Sequence, residues 1–201
     1  MKKFVLLTLA ATLLMFASAN AQEGPVYKGT WIVDGNASFY SASGDLYKPG
    51  DDGQTWINFS PEVAYFVMNG LAVGLTLDFS SWSQGDAKSN ELGIGPMVSF
   101  YYDMDKTKDE AKGKLFPFAS GAFEYMSTTT NSGAPNADDY KYTMTRIKFK
   151  GGILYMLSNA VGINANLRID LDSKKQTDPV ESDSVSGTRF GAEVGITAFL
   201  W

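Results

Sequence analysis

Positions 55–82, TWINFSPEVAYFVMNGLAVGLTLDFSSW, carry the clearest pattern in the chain. Before Asn69-Gly70 the odd positions are apolar or aromatic (Ile57, Phe59, Pro61, Val63, Tyr65, Val67), and the even ones include Asn58, Ser60 and Glu62. After it, Leu71, Val73, Leu75, Leu77 and Phe79 alternate with Ala72, Gly74, Thr76, Asp78 and Ser80. A period of two places these sets on opposite faces, so the stretch predicts two antiparallel strands, one face greasy and the other polar.

The alternation recurs along the chain. A first strand runs from Gly29 to Ser41, with Trp31, Val33, Ala37 and Phe39 opposite Asp34, Asn36 and Ser38. A fourth places Leu92, Ile94, Pro96, Val98, Phe100 and Tyr102 opposite Gly93, Gly95, Met97 and Ser99; a fifth, about Leu115 to Met126, sets Glu124 against Ala119, Gly121, Phe123 and Tyr125. In the sixth, Ile147, Phe149, Ile153 and Tyr155 oppose Arg146, Lys148, Lys150 and Gly152. In the seventh, Ile163, Ala165, Leu167, Ile169 and Leu171 oppose Asn164, Asn166, Arg168 and Asp170. The eighth sets Phe190, Val194, Ile196, Ala198 and Leu200 against Arg189, Glu193 and Thr197. The polar stretches 44–53, 83–91, 127–141 and 172–187 read as long connections, whereas the breaks at Asn69-Gly70 and Ser158-Asn159 are short. In up-and-down order this gathers the long connections at one end and both termini at the other; the charged link 103–114 is the exception. A weak echo, Tyr-x-x-x-Asn at Tyr65–Asn69 and Tyr155–Asn159, marks the two short turns and reads as repeated hairpin geometry.

The face assignment also constrains the central turn. A two-residue Asn69-Gly70 turn would pair Met68 with Leu71 and Val67 with Ala72, setting residues of the apolar face against residues of the polar one. The turn predicted is therefore a three-residue loop, Met68-Asn69-Gly70 with Gly70 left-handed in a bulge, which pairs Val67 with Leu71, Tyr65 with Val73 and Phe59 with Phe79.

Residues 1–21 stand outside this pattern. Lys2 and Lys3, the apolar run from Phe4 to Phe16, and Ala19-Asn20-Ala21 predict a secretory signal peptide cut before Gln22, leaving 22–201 as one domain. Without its two lysines the mature chain has 15 Lys and Arg against 22 Asp and Glu, which disfavours nucleic acid and anionic surfaces as partners. The absence of cysteine excludes a disulfide framework and thiolate metal sites.

Two barrels fit eight alternating strands. A soluble lipocalin-like barrel would turn its apolar face inward around a ligand; a membrane barrel would turn it to lipid. The aromatics favour the second. Trp56, Phe79, Trp82, Phe123, Tyr125, Tyr140, Tyr142 and Phe190 fall near the long-connection end, and Tyr27, Trp31, Tyr65, Phe100, Tyr101, Tyr102, Phe116, Phe118, Tyr155, Phe199 and Trp201 near the other. Two belts flanking an aliphatic middle match lipid interfaces. The strand charges agree, since one on the lipid face at mid-bilayer costs ~2–4 kcal/mol. Asp34, Glu62, Asp78, Glu124, Asp170 and Glu193, with Arg146, Lys148, Lys150, Arg168 and Arg189, all fall on the lumenal face, six acids against five bases. Such a near-balance predicts mutual pairing inside a narrow lumen. The fold class expected is therefore all-β, an eight-stranded antiparallel up-and-down transmembrane β-barrel.

With these features the chain resembles the small bacterial outer-membrane β-barrels of the OmpA transmembrane-domain and OmpX type. The residues that carry the resemblance are the signal peptide, Ser60-Pro61-Glu62-Val63-Ala64-Tyr65-Phe66 running into Gly70-Leu71-Ala72-Val73-Gly74, Pro117-Phe118, and a last strand ending at Trp201. The resemblance implies an outer-membrane location, contact with outer-membrane lipid and lipopolysaccharide, and insertion by the outer-membrane assembly machinery through the C-terminal strand. One departure stands out: the terminal aromatic of such a signal faces lipid, whereas the phase here gives that face to Leu200. Pro61, Pro96 and Pro117 each remove a ladder donor and predict local bulges.

No catalytic site, cofactor or metal is expected. The chain lacks histidine, which removes Ser-His-Asp catalysis and imidazole ligation. Asp103-x-Asp105-x-Thr107 opens like a calcium loop but has Lys108 and Lys114 at the sixth and twelfth positions. The reading is a structural or surface-interaction barrel with four polar extracellular loops and an unidentified extracellular partner. The alternative is a narrow pore for small solutes or ions, with Arg146, Lys148 and Lys150 as its selective ladder.

Overall fold

A computed structural model describes residues 24–43, 55–84, 87–105, 110–131, 140–178 and 183–200. They form eight strands: β1 (Trp31–Ser43), β2 (Thr55–Met68), β3 (Leu71–Gln84), β4 (Ala87–Tyr101), β5 (Leu115–Asn131), β6 (Tyr140–Met156), β7 (Val161–Asp178) and β8 (Val185–Leu200). Each strand pairs antiparallel with its sequence neighbour, and β1 closes the barrel against β8. Closure leaves no strand edge with unpaired backbone, as a sheet in hydrocarbon requires.

The alternation sorts side chains across this wall. Outward-facing Leu75, Ile94, Phe149, Leu167 and Ile196 are each more than half exposed, while inward-facing Asp78, Glu124, Arg146 and Arg168 are fully buried. This inversion of the usual arrangement overturns the soluble lipocalin-like alternative, which needs the greasy face inside. No helix among the described residues is long and apolar enough to cross a membrane.

The strands outrun the apolar pattern at the long-connection end. Ser127–Asn131, expected as loop, belongs to β5; Ser83 and Gln84 continue β3; Ala87–Glu91 open β4; and Asp172–Asp178 extend β7. Strands of 17 and 18 residues exceed the ~9–11 needed to cross a bilayer. Beyond the apolar band both faces can be polar, and ladder bonds to two neighbours hold the strand without alternation. Thr128, Thr129 and Thr130 also favour extended backbone.

At the opposite end the central turn differs from expectation. Met68 pairs with Leu71, leaving Asn69-Gly70 as a two-residue turn, and a register shift between Phe66 and Met68 leaves Val67 bulged. The expected pair of Val67 with Leu71 is therefore replaced, but the bulge restores the phase, and Tyr65 faces Val73 and Phe59 faces Phe79. Gly70 is left-handed (φ 79). Its N–H donates to the Val26 carbonyl at 2.8 Å and its carbonyl accepts from Tyr101 N–H at 2.7 Å. A Cβ there would sit 2.6 Å from the Tyr101 oxygen, so both backbone angle and space demand glycine.

The Tyr-x-x-x-Asn echo reaches further than hairpin geometry. Asn69 Oδ1 accepts the backbone N–H of Lys28, and Asn159 Oδ1 accepts those of Ala111 and Lys112. Beside them Gly29 N–H donates to Phe66 O while Phe66 N–H donates to Thr30 O; Gly113 and Lys114 make the same two bonds with Met156. Two Lys-Gly segments, each with a left-handed glycine, thus clamp the two short turns.

The prolines interrupt pairing without shifting register. Pro61 faces Gly35 on β1, and the β2–β3 pairs step from Phe59–Phe79 to Glu62–Thr76 in unchanged phase. Pro96 faces Leu75, and the β4–β5 pairs skip it in the same manner. Each interruption drops two residue pairs from one ladder, and the expected bulges are absent at these positions.

Candidate functional site: the barrel interior

Even positions of β1, β2, β3, β5, β6 and β7 and odd positions of β4 and β8 point inward, and their side chains stack in two layers. The layer nearer the long connections is ionic. Arg146 Nε lies 2.7 Å from Asp172 Oδ1, and its Nη1 lies 3.4 Å from Asp78 and 3.5 Å from Glu124. Lys148 Nζ bridges Asp78 at 3.1 Å and Glu124 at 2.5 Å. Arg168 spends all three nitrogens: Nε on Asp170 at 2.7 Å, Nη1 on Glu193 at 2.8 Å, Nη2 on Asp78 at 2.8 Å. Lys150 Nζ meets Glu62 at 2.6 Å, and Arg189 Nε stands 3.0 Å from Asp172. Tyr40 presents its ring to two guanidinium carbons, Arg168 Cζ at 5.1 Å and Arg189 Cζ at 5.2 Å, and its hydroxyl donates to Asn58 Oδ1 at 3.0 Å.

These groups are fully desolvated, and isolated charges of that kind would each cost several kcal/mol. Sharing Asp78, Glu124, Asp170, Asp172 and Glu193 each among two or three cations is what makes them tolerable. Glycine provides room: a Cβ on Gly195 would overlap Asn36 Oδ1, which sits over that bare backbone.

Asp34 lies at the lower boundary of this layer and is held by neutral groups. Asn36 Nδ2 donates to its Oδ2 at 2.9 Å, while Asn164 Nδ2 at 2.9 Å and Thr197 Oγ1 at 3.1 Å donate to its Oδ1. Below it the interior turns apolar. Ile32, Ala64, Phe66, Ala72, Tyr101, Phe116, Phe118, Leu154, Met156 and Phe199 form one buried cluster, capped by Val26 and Ala111 from the two clamp segments. Phe66 stacks on Phe199 with centroids 6.4 Å apart and tilts against Tyr101 at 5.6 Å; Tyr101 stacks on Phe118 at 5.3 Å.

All eleven charged residues singled out from the sequence lie in the ionic layer or at its edge, each no more than 6% exposed. Glu91 and Asp172 join them, at 5% and 3%; both lie in stretches expected as connections, because the apolar alternation fails around them. Among the described residues the lumen therefore holds eight buried carboxylates (Asp34, Glu62, Asp78, Glu91, Glu124, Asp170, Asp172, Glu193) against five buried bases, not a near-balance.

The aromatic belts divide. Trp31, Phe79, Tyr102, Phe123, Tyr125, Tyr155 and Phe190 are exposed on the outer wall, and Tyr65 is half-buried against Trp31 at 5.1 Å. The side chains of Trp56 and Trp201 lie outside the described residues. Tyr101, Phe116, Phe118 and Phe199, expected in the belt at the short-turn end, point inward and build the apolar layer. Their positions were legible from the phase alone, since each shares its parity with lumenal charges on the same strand. Leu200 keeps the outward phase at the end of β8, half-exposed beside buried Phe199.

No group of three or more Asp or Glu among the described residues could hold a metal ion. Asp103 accepts the Asp105 N–H and pairs with Lys114 at 3.3 Å, a self-contained turn.

No protein-family model and no curated protein matches the sequence. Solved structures match across most of the chain. Neisserial surface protein A is 12% identical with a TM-score of 0.59, covering 85% of this chain and 99% of that one. The outer membrane protein AlkL, solved in lipid bilayers, is 12% identical at TM-score 0.57, covering 91% and 95%. The N-terminal β-barrel domain of Pseudomonas aeruginosa OprF is 13% identical at 0.51, covering 86% and 98%. At such identities the likeness is one of fold, and the fold is that of the small outer-membrane barrels.

Proposed function

We propose that the chain is a bacterial outer-membrane protein, exported by a signal peptide spanning 1–21, whose closed barrel serves as a rigid platform for the segments at its long-connection end. Those segments would face the cell exterior and carry the interaction; the two clamped turns would face the periplasm. The observation that carries this reading is the double filling of the interior: the ionic layer and the apolar layer each cross the barrel with side chains almost wholly shielded from solvent. An eight-stranded barrel has room for little beyond its own side chains. The outward apolar band, flanked by exposed aromatics, supports contact with outer-membrane lipid and lipopolysaccharide, and β8 supplies the strand through which the assembly machinery would act.

The narrow-pore alternative needs Arg146, Lys148 and Lys150 to face a water path. Each instead has a carboxylate within 2.7 Å, and the apolar layer lies across any path below them. Among the described residues Glu62, Asp78, Glu124, Asp170, Asp172 and Glu193 each pair with a lysine or arginine, which supports a structural role for them over a catalytic one.

The platform reading is tested by replacing positions 44–54 and 132–139 with short Gly-Ser linkers in whole cells. The expected result is retained heat-modifiable migration and membrane-fraction recovery, with loss of any binding to host or abiotic surfaces. Recovery of the native chain as a soluble periplasmic monomer would overturn it.

A further inference from the structure

The carboxylates of the ionic layer are unequally served. Six of the eight have a lysine or arginine nitrogen within 2.8 Å. Asp34 has three neutral donors instead. Glu91 has neither: its nearest cations are Arg189 Nη1 at 3.7 Å and Arg146 Nη2 at 3.8 Å, and its Oε2 accepts no hydrogen bond. Ser80 on β3 and Thr128 on β5 are its direct cross-strand partners, with side chains on the same lumenal face. Both hydroxyls are buried, at 4% and 0% exposure, and neither Oγ has a hydrogen-bond partner. Three desolvated oxygens in one row, one of them anionic, lie at the long-connection side of a lumen whose buried charged residues, among those described, include three more acids than bases.

We propose that Ser80, Glu91 and Thr128 form a binding site for a hard, oxygen-seeking cation of the calcium type, entering from the long-connection end. Such ions take carboxylate and hydroxyl oxygens with water completing the shell. A cation here satisfies three orphaned acceptors and offsets part of the negative excess of the layer beneath it. One carboxylate in the set corresponds to weak binding, on the scale of ~10⁻⁴–10⁻³ M found for extracellular modules of low ligand charge. Lys174 is the chain's own competitor: its Nζ rests 4.1 Å over the ring of Tyr142, the next residue along the same row after Thr128.

The test is calcium titration of the full-length, chelator-treated barrel in detergent, with heat-modifiable migration confirming that each variant is folded. The native protein binds one ion in the interior. Ser80→Ala and Thr128→Val each weaken that binding by about 10-fold or more, the scale of losing a supporting partner at a metal site, and Glu91→Gln abolishes it. Lys174→Gln leaves it unchanged or strengthens it modestly. Unchanged affinity in the folded Ser80→Ala/Thr128→Val double variant would assign the ion to the acidic connections and overturn the proposal. So would a native barrel that binds no calcium while Lys174→Gln does, since the lysine would then fill the site itself; absence of binding in both would overturn it outright.

Discussion

The two layers of the lumen pack the same barrel by opposite physics. The upper one packs charge against charge, so each member is stabilised only while its partners remain; the lower one packs Phe, Leu, Met and Tyr side chains, whose contributions are separable and scale with volume. In the ionic layer, removing one partner strands another, and removing both can cost little. In the apolar layer every truncation opens a cavity, and a second opens a larger one. The first arrangement specifies which strands lie opposite one another; the second supplies cohesion at the end where the chain enters and leaves.

This contrast predicts different responses to paired substitutions. The largest loss is expected in the apolar layer: Phe66→Ala and Phe116→Ala should each cost about 3–5 kcal/mol, and the double variant should approach their sum, read from urea unfolding in lipid vesicles. A double variant no worse than either single one would mean that the layer is already slack. In the ionic layer Lys150→Met alone should also cost about 3–5 kcal/mol by stranding Glu62, yet adding Glu62→Gln should recover most of it. Strict additivity of that pair would erase the distinction between the layers. On the outer wall Leu167→Arg should cost about 2–4 kcal/mol in the same assay, whereas a tolerated arginine would put that position outside the bilayer. The smallest effect belongs to the clamps: Asn159→Ala removes the acceptor of one part-buried and one exposed N–H group and should cost about 1 kcal/mol, detected as faster amide exchange at Ala111 and Lys112 rather than as a shift in global unfolding.

Much of the barrel was legible because lipid enforces a strict code on one face. Where that code applied, from Ile57 to Phe79 or from Arg146 to Tyr155, alternation gave strand and phase, and in the first stretch also the pairs Tyr65–Val73 and Phe59–Phe79. It failed where the constraint lapses. Glu91, Asp172 and Thr128–Thr130 lie beyond the apolar band, where both faces are polar and only ladder pairing holds the strand. The inward aromatics failed for a different reason. Tyr101, Phe116, Phe118 and Phe199 break no rule of the lipid face; they break the expectation that a lumen is polar, and an aromatic near a strand end resembles a belt residue until its parity is compared with the charges on the same strand. The bulge at Val67 was hidden because phase fixes the pairs on either side of a turn without saying which strand absorbs the extra residue.

The central claim is that the two layers leave no continuous path through the barrel. Planar-bilayer recording of the purified, heat-modifiable protein tests it most directly. A closed interior gives no steady conductance, in the native chain or in Lys148→Glu; steady, ion-selective channels in the native protein that vanish in Lys148→Glu would contradict it.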